Sequence, residues 1–132
     1  MPVELFWLML TVAMTALIWV PYILDRIMVR GLMDAMANPS PSDRPQSAWA
    51  QRMMAAHMNG VENLVIFAPL VLAAHALNIS SAATVFAAAL YFWSRLAHLV
   101  VYTLGIPVLR TLAFAGGFLA QAILVLAVLK LM

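Results

Sequence analysis

Four long apolar runs divide the chain, separated by stretches in which Pro, Gly, Ser and Asn accumulate. They extend from about Val3 to Leu24, Met53 to Leu77, Ala82 to Tyr102 and Val108 to Leu129. Each is near the roughly 20 residues that a helix needs to cross about 30 Å of hydrocarbon. The pattern predicts an all-α integral membrane protein, a four-helix bundle forming a single domain over residues 1–132. Pro21 and Pro69 each remove a helical N–H, so a bend is expected near both. The first run is too long for a signal peptide and carries Glu4 where a basic segment would stand, so it is read as a retained helix.

The connections are unequal. Residues from about Arg30 to Gln51, with Asn38-Pro39-Ser40-Pro41-Ser42 and Asp43-Arg44-Pro45, read as a loop over the membrane surface. Asn78-Ile79-Ser80-Ser81 makes a tight turn that offers Ser80 or Ser81 as an N-cap for the third helix. Gly105-Ile106-Pro107 closes that helix with Gly and opens the fourth with Pro.

Composition agrees with the pattern: 66% of residues are hydrophobic and 9% charged, against roughly 25% charged in soluble domains. A formal net charge of +2 gives no footprint for nucleic acid. There is no cysteine, so any thiol chemistry must use a thiol brought by a substrate. Arg26, Arg30, Arg44, Arg52, Arg95 and Arg110 fall on the side of the first and third connections, and Lys130 on the side of the termini. This bias predicts a cytoplasmic face at the arginines, with both termini on the opposite side.

Against this background a few polar residues stand out. Arg52, Asn59 and Glu62 share a stripe of the second helix, Arg95, His98 and Tyr102 a stripe of the third, and Arg110-Thr111 opens the fourth. A charge at the bilayer centre costs roughly 2.5–3.5 kcal/mol, so such groups need partners, water or a ligand. Two readings fit: a ligand cleft, or a structural network in which arginine pairs with Glu62 to fix helix packing. His57 reads as a packing or interfacial residue, His75 as interfacial and Asp25 as a solvated helix end. Gln121 is a candidate for a hydrogen bond across an assembly axis. The ten methionines are scattered and read as filler, and no His or Cys spacing supports a metal site.

The run Gln51-Arg52-Met53-Met54-Ala55-Ala56-His57-Met58-Asn59-Gly60-Val61-Glu62-Asn63 resembles the second-helix signature of the MAPEG family, the membrane-associated proteins in eicosanoid and glutathione metabolism. The segment from Arg95 through His98, Tyr102 and Pro107 to Arg110-Thr111 resembles that family's third and fourth helices. The resemblance implies a homotrimer with glutathione bound between subunits near the cytoplasmic surface. Arg52, Asn59 and Glu62 would come from one subunit, and Arg95, His98, Tyr102, Arg110 and Thr111 from its neighbour. Glu62 would hold the tripeptide's ammonium, arginines its carboxylates, and Arg110 its thiolate; Arg26 or Arg30 would match an arginine of the family's first helix. A hydrophobic small-molecule substrate would arrive through membrane lipid.

The chain departs from the signature at Gln51, at Ala55 in place of a second arginine, and at Met58. Phe114 replaces a tyrosine of the prostaglandin-synthase-like members, so eicosanoid synthesis is not implied. The expected function is a bacterial-type, inner-membrane glutathione transferase or peroxidase acting on hydrophobic electrophiles or lipid peroxides. The alternative, favoured by Ala55, is a catalytically silent subunit that binds lipid or a partner complex.

Overall fold

The computed structural model describes residues 1–132 and is helical throughout, in the order α1 (Val3–Leu17), α2 (Trp19–Arg30), α3 (Leu32–Met36), α4 (Ala48–Ala76), α5 (Ala82–Leu104) and α6 (Pro107–Val128). Helices α1 and α2 form one membrane-length rod interrupted at Ile18; with α4, α5 and α6 this makes four helices long and apolar enough to cross a membrane. The interruption has a local cause. Pro21 has no N–H to return to the Leu17 carbonyl, and the helical assignment lapses at that step. Pro69 lies inside α4, which continues through it.

Helix α5 is central, packing on α1, α4 and α6. It begins with a capping box: the Ser81 N–H donates to Thr84 Oγ1 at 2.8 Å, and the Thr84 N–H donates to Ser81 Oγ at 3.2 Å. Ser81 is thus the cap, of the two serines that the sequence offers. The α5–α6 seam uses glycine on α6, with Gly116 facing Ser94 and Gly117 facing the Tyr91 and Arg95 side chains. A methyl group on Gly116 would sit 2.5 Å from Ser94 Oγ, so a larger residue there would have to displace the Ser94 side chain. The core lies toward the end where the chain begins. There the Phe67 and Tyr91 rings stack at 3.7 Å, backed by Leu8, Val71, Ala88 and Leu124.

The first and second spans are longer than the apolar runs suggest. The rod reaches Arg30 rather than stopping near Leu24, and α4 begins at Ala48 rather than near Met53. One polar clamp explains both. Asp25 is only 6% exposed, not the solvated residue that the sequence suggests. Its carboxylate accepts the Ser47 N–H at 3.0 Å, the Ser47 hydroxyl, and Gln46 Nε2 at 3.2 Å. Ser47 is the N-cap of α4, so Asp25 supplies the negative charge that a helix start favours. Gln46 Nε2 also donates to the Tyr22 carbonyl at 2.7 Å, and Arg26 Nε donates to Gln46 Oε1 at 3.0 Å. Tyr22 Oη and His57 Nδ1 share a hydrogen bond of 2.9 Å that pins α2 to α4.

Candidate functional site

At the end of the bundle where α5 turns into α6, the polar residues of α4, α5 and α6 converge. The turn depends on Gly105, which caps α5 at φ +80. A Cβ there would also lie 3.3 Å from Arg52 Nε, so glycine both closes the helix and leaves room for that side chain. Arg52 Nε donates to the Thr103 carbonyl at 2.9 Å, tying α4 to the end of α5. Pro107 then opens α6, one turn before Arg110.

The Arg110 guanidinium lies 4.5 Å from the centre of the Tyr102 ring, a cation–π contact that holds it across the turn. Tyr102 in turn meets His98 edge to face at 5.4 Å. Two adjoining cavities share Tyr102 and Arg110. One, of about 190 Å³, is lined by Asn59, His98, Tyr102, Arg110, Thr111 and Phe114. The other, of about 160 Å³, adds Arg52 and the Gly105–Pro107 turn. Of the eight residues singled out in the sequence, Arg52, Asn59, His98, Tyr102, Arg110 and Thr111 are therefore gathered within one chain.

Arg95 and Glu62 differ from the rest. Arg95 is 4% exposed and lies behind the cavity wall, where its Nη2 donates to Asn59 Oδ1 at 2.7 Å and to His98 Nδ1 at 3.4 Å. It holds two wall residues and leaves its own Nε buried without a partner. Glu62 is exposed on the outside of α4 and makes no ion pair. The only ion pair in the chain joins Arg30 and Asp43 in the loop, at 3.7 Å. The structural network that would have paired arginine with Glu62 is not formed within the chain. Arg26 and Arg30 are both engaged near the loop, Arg30 Nε donating to the Arg44 carbonyl at 2.8 Å, and neither lines the two cavities.

Sequence reasoning misses Asn63 and Tyr91 behind this wall, and picks out Gln121 without its partner. Asn63 Nδ2 donates to the Asn59 carbonyl at 2.9 Å, and Gln121 Nε2 donates to the Asn63 carbonyl at 3.2 Å. Gln121 is 5% exposed and spends its amide inside its own chain rather than across an assembly axis. Tyr91, one turn before Arg95 on the same stripe, is likewise buried and has an unpartnered hydroxyl. The signal for Tyr91 was available: its spacing of four from Arg95 continues the stripe of Arg95, His98 and Tyr102.

No curated protein and no solved structure matches this chain. The family model described as "MAPEG family" matches residues 5–130, a span that takes in all four membrane-length helices but for the first two residues of α1, and every residue of the arginine-rich end. This multi-pass membrane protein therefore belongs to the MAPEG family, whose members include glutathione transferases and peroxidases.

Proposed function

We propose that the protein is a glutathione-dependent membrane transferase or peroxidase acting on hydrophobic electrophiles or lipid peroxides. The observation that carries this reading is that Arg52, Arg95 and Arg110 converge on one end of the bundle with no carboxylate paired to any of them. Uncompensated guanidiniums in an apolar bundle favour an anionic ligand, because isolated buried charge is costly and a partner recovers that cost. Glutathione has two carboxylates suited to planar arginine pairing and an ionisable thiol.

In this proposal Arg110 faces the sulfur. The Tyr102 ring occupies one side of its guanidinium and leaves the N–H edge free for an anion. The first turn of α6 adds exposed N–H groups and the positive end of the helix. A free thiol has a pKa of about 8.5, so a cation beside it increases the reactive fraction at neutral pH. The thiolate attacks an electrophilic carbon, and the bond to the leaving group breaks with its electron pair. With a lipid peroxide it attacks oxygen instead. The O–O bond breaks, a proton yields the alcohol, and a second glutathione turns the resulting sulfenic acid into disulfide and water.

The proposal extends to a homotrimer. Glu62 is a carboxylate on the outer face of a membrane span, where contact with hydrocarbon would be costly. We assign it to a subunit interface, where it meets the glutathione ammonium beside a neighbour's cavity. The arginine-rich end faces the cytoplasm and the termini face away. The test is to mix the intact protein with glutathione and record ultraviolet thiolate absorbance near neutral pH together with turnover of a model electrophile. Thiolate and turnover above solution rates are expected. Binding without either overturns the catalytic reading, and no binding leaves the silent subunit that Ala55 favours.

A further inference from the structure

A third cavity, of about 250 Å³, lies at the opposite end of the bundle, where the chain begins. Its walls include Leu5, Val71 and Ile79, with Glu4, His75, Asn78 and Ser80 as its polar members. Glu4 is 6% exposed. One of its oxygens, Oε1, accepts the Ser80 hydroxyl at 2.7 Å and the Thr84 hydroxyl at 2.6 Å, short contacts of the kind that an ionised carboxylate makes. These bonds tether α1 to the start of α5, which accounts for one oxygen. The other, Oε2, accepts no hydrogen bond from any side chain and is not sealed from the cavity. No Lys, Arg, His or N-terminal nitrogen comes within 4.0 Å of the carboxylate. The positive end of α1, the Glu4 backbone N–H included, offsets part of its charge, and His75 acts on it through space, but neither makes an ion pair with it.

We propose that this cavity is a binding site for a primary ammonium group carried by an amphiphile, with Glu4 Oε2 as its acceptor. The chemistry narrows the ligand. A divalent metal would need more oxygen ligands than one carboxylate oxygen. A quaternary ammonium has no N–H to donate and is recognised by the faces of Trp, Tyr or Phe, none of which lines the cavity. A primary ammonium donates directly to Oε2. The aliphatic wall of Leu5, Val71 and Ile79 takes the chain, and the exposed His75 and Asn78 at the end of α4 carry N–H groups able to meet a phosphate beside the amine. This is the chemistry of a phosphoethanolamine headgroup, shared by a membrane lipid and by soluble amines. The site is independent of the glutathione reading, because it lies at the other end of the bundle.

The test is native mass spectrometry of the full-length protein in detergent with phosphatidylethanolamine, phosphatidylcholine of the same chains, and soluble O-phosphoethanolamine. Wild type is expected to retain the ethanolamine lipid over the choline lipid by about tenfold or more, the scale of one charge-assisted hydrogen bond. Glu4→Gln keeps a carbonyl acceptor for Ser80 and Thr84 and is expected to lose that preference. Ile79→Trp, which fills the cavity with Glu4 intact, is expected to lose it as well and decides the matter if Glu4→Gln does not fold. Displacement of the lipid by equal O-phosphoethanolamine would assign the site to soluble amines; resistance to it assigns the site to lipid. Equal retention of both lipids by wild type, or a preference that survives both substitutions, overturns the proposal.

Discussion

Two polar regions lie at the same end of the bundle and are built in opposite ways. In the clamp between α2, the loop and α4, the Asp25 carboxylate is met by Ser47 and Gln46, Gln46 by Arg26, and Tyr22 by His57. A few residues away, Arg52, Arg95 and Arg110 reach only a backbone carbonyl, an amide, an imidazole and an aromatic face, and Arg95 Nε reaches nothing. Both regions bring charge into a largely apolar chain. Only the clamp resolves it internally, by surrounding one carboxylate with donors. Satisfied polar networks rigidify a fold, whereas charges left without counter-charge mark a place where something else is expected to bind. On this contrast, substitutions in the clamp should change stability without touching ligand chemistry, and substitution of Arg110, which makes no side-chain hydrogen bond within the chain, should do the reverse.

The largest effect should come from breaking the clamp. Asp25→Ala strands the Ser47 N–H and hydroxyl and one bond of Gln46, which at charge-assisted strengths costs about 3 kcal/mol or more. A loss of thermal stability well beyond that of Arg110→Ala, read by unfolding in detergent, is the expected result. Unchanged stability would show that the clamp is not structural. Arg110→Ala tests the other half. If its guanidinium acts on the thiolate, turnover of a model electrophile should fall about 100-fold, close to the cost of removing one charge-stabilising donor, with the melting temperature nearly unchanged. A parallel loss of fold would place Arg110 with the scaffold.

The same contrast explains what the sequence could and could not reveal. Apolar length locates all four spans, and the three-and-four spacing of Arg95, His98 and Tyr102 correctly puts them on one stripe. Helical periodicity says which residues share a face but not which neighbour that face meets. Arg95 therefore turns out to stand behind the wall that His98 and Tyr102 line. Asn59 and Glu62 lie on one stripe yet separate, Asn59 into the cavity and Glu62 to the outside. The ends of the first and second spans were illegible for a different reason. They are set by Asp25 bonding to Ser47, 22 positions away, and no local pattern encodes such a contact. Gln121, the lone amide in α6, was visible as polar, but its partner Asn63 depends on how α4 and α6 pack.

Glu62 sharpens the comparison because it belongs to neither region within one chain. If it meets a ligand ammonium at a subunit interface, Glu62→Gln should weaken glutathione binding by about 2 kcal/mol, roughly thirtyfold, and leave the assembly intact. Calorimetry alongside native mass measurement distinguishes the outcomes. Unchanged affinity removes Glu62 from the site, and loss of the oligomer makes it an assembly residue instead.

The smallest effect concerns the boundary between the two regions, the hydrogen bond of 2.9 Å between Tyr22 and His57. His57 lies within the family signature, but its ring faces α2 and lines neither arginine-rich cavity. Tyr22→Phe keeps the ring and removes the bond, which should cost about 1 kcal/mol. The expected readout is a fall of a few degrees in melting temperature, with glutathione affinity, thiolate absorbance and the pH profile of turnover unchanged. A structural histidine predicts that separation, because the bond fixes α2 on α4 at a distance from the reacting sulfur. If Tyr22→Phe instead shifts the pH profile while stability holds, the Tyr22–His57 pair takes part in the chemistry. The boundary between clamp and site would then have to be redrawn to put His57 on the catalytic side.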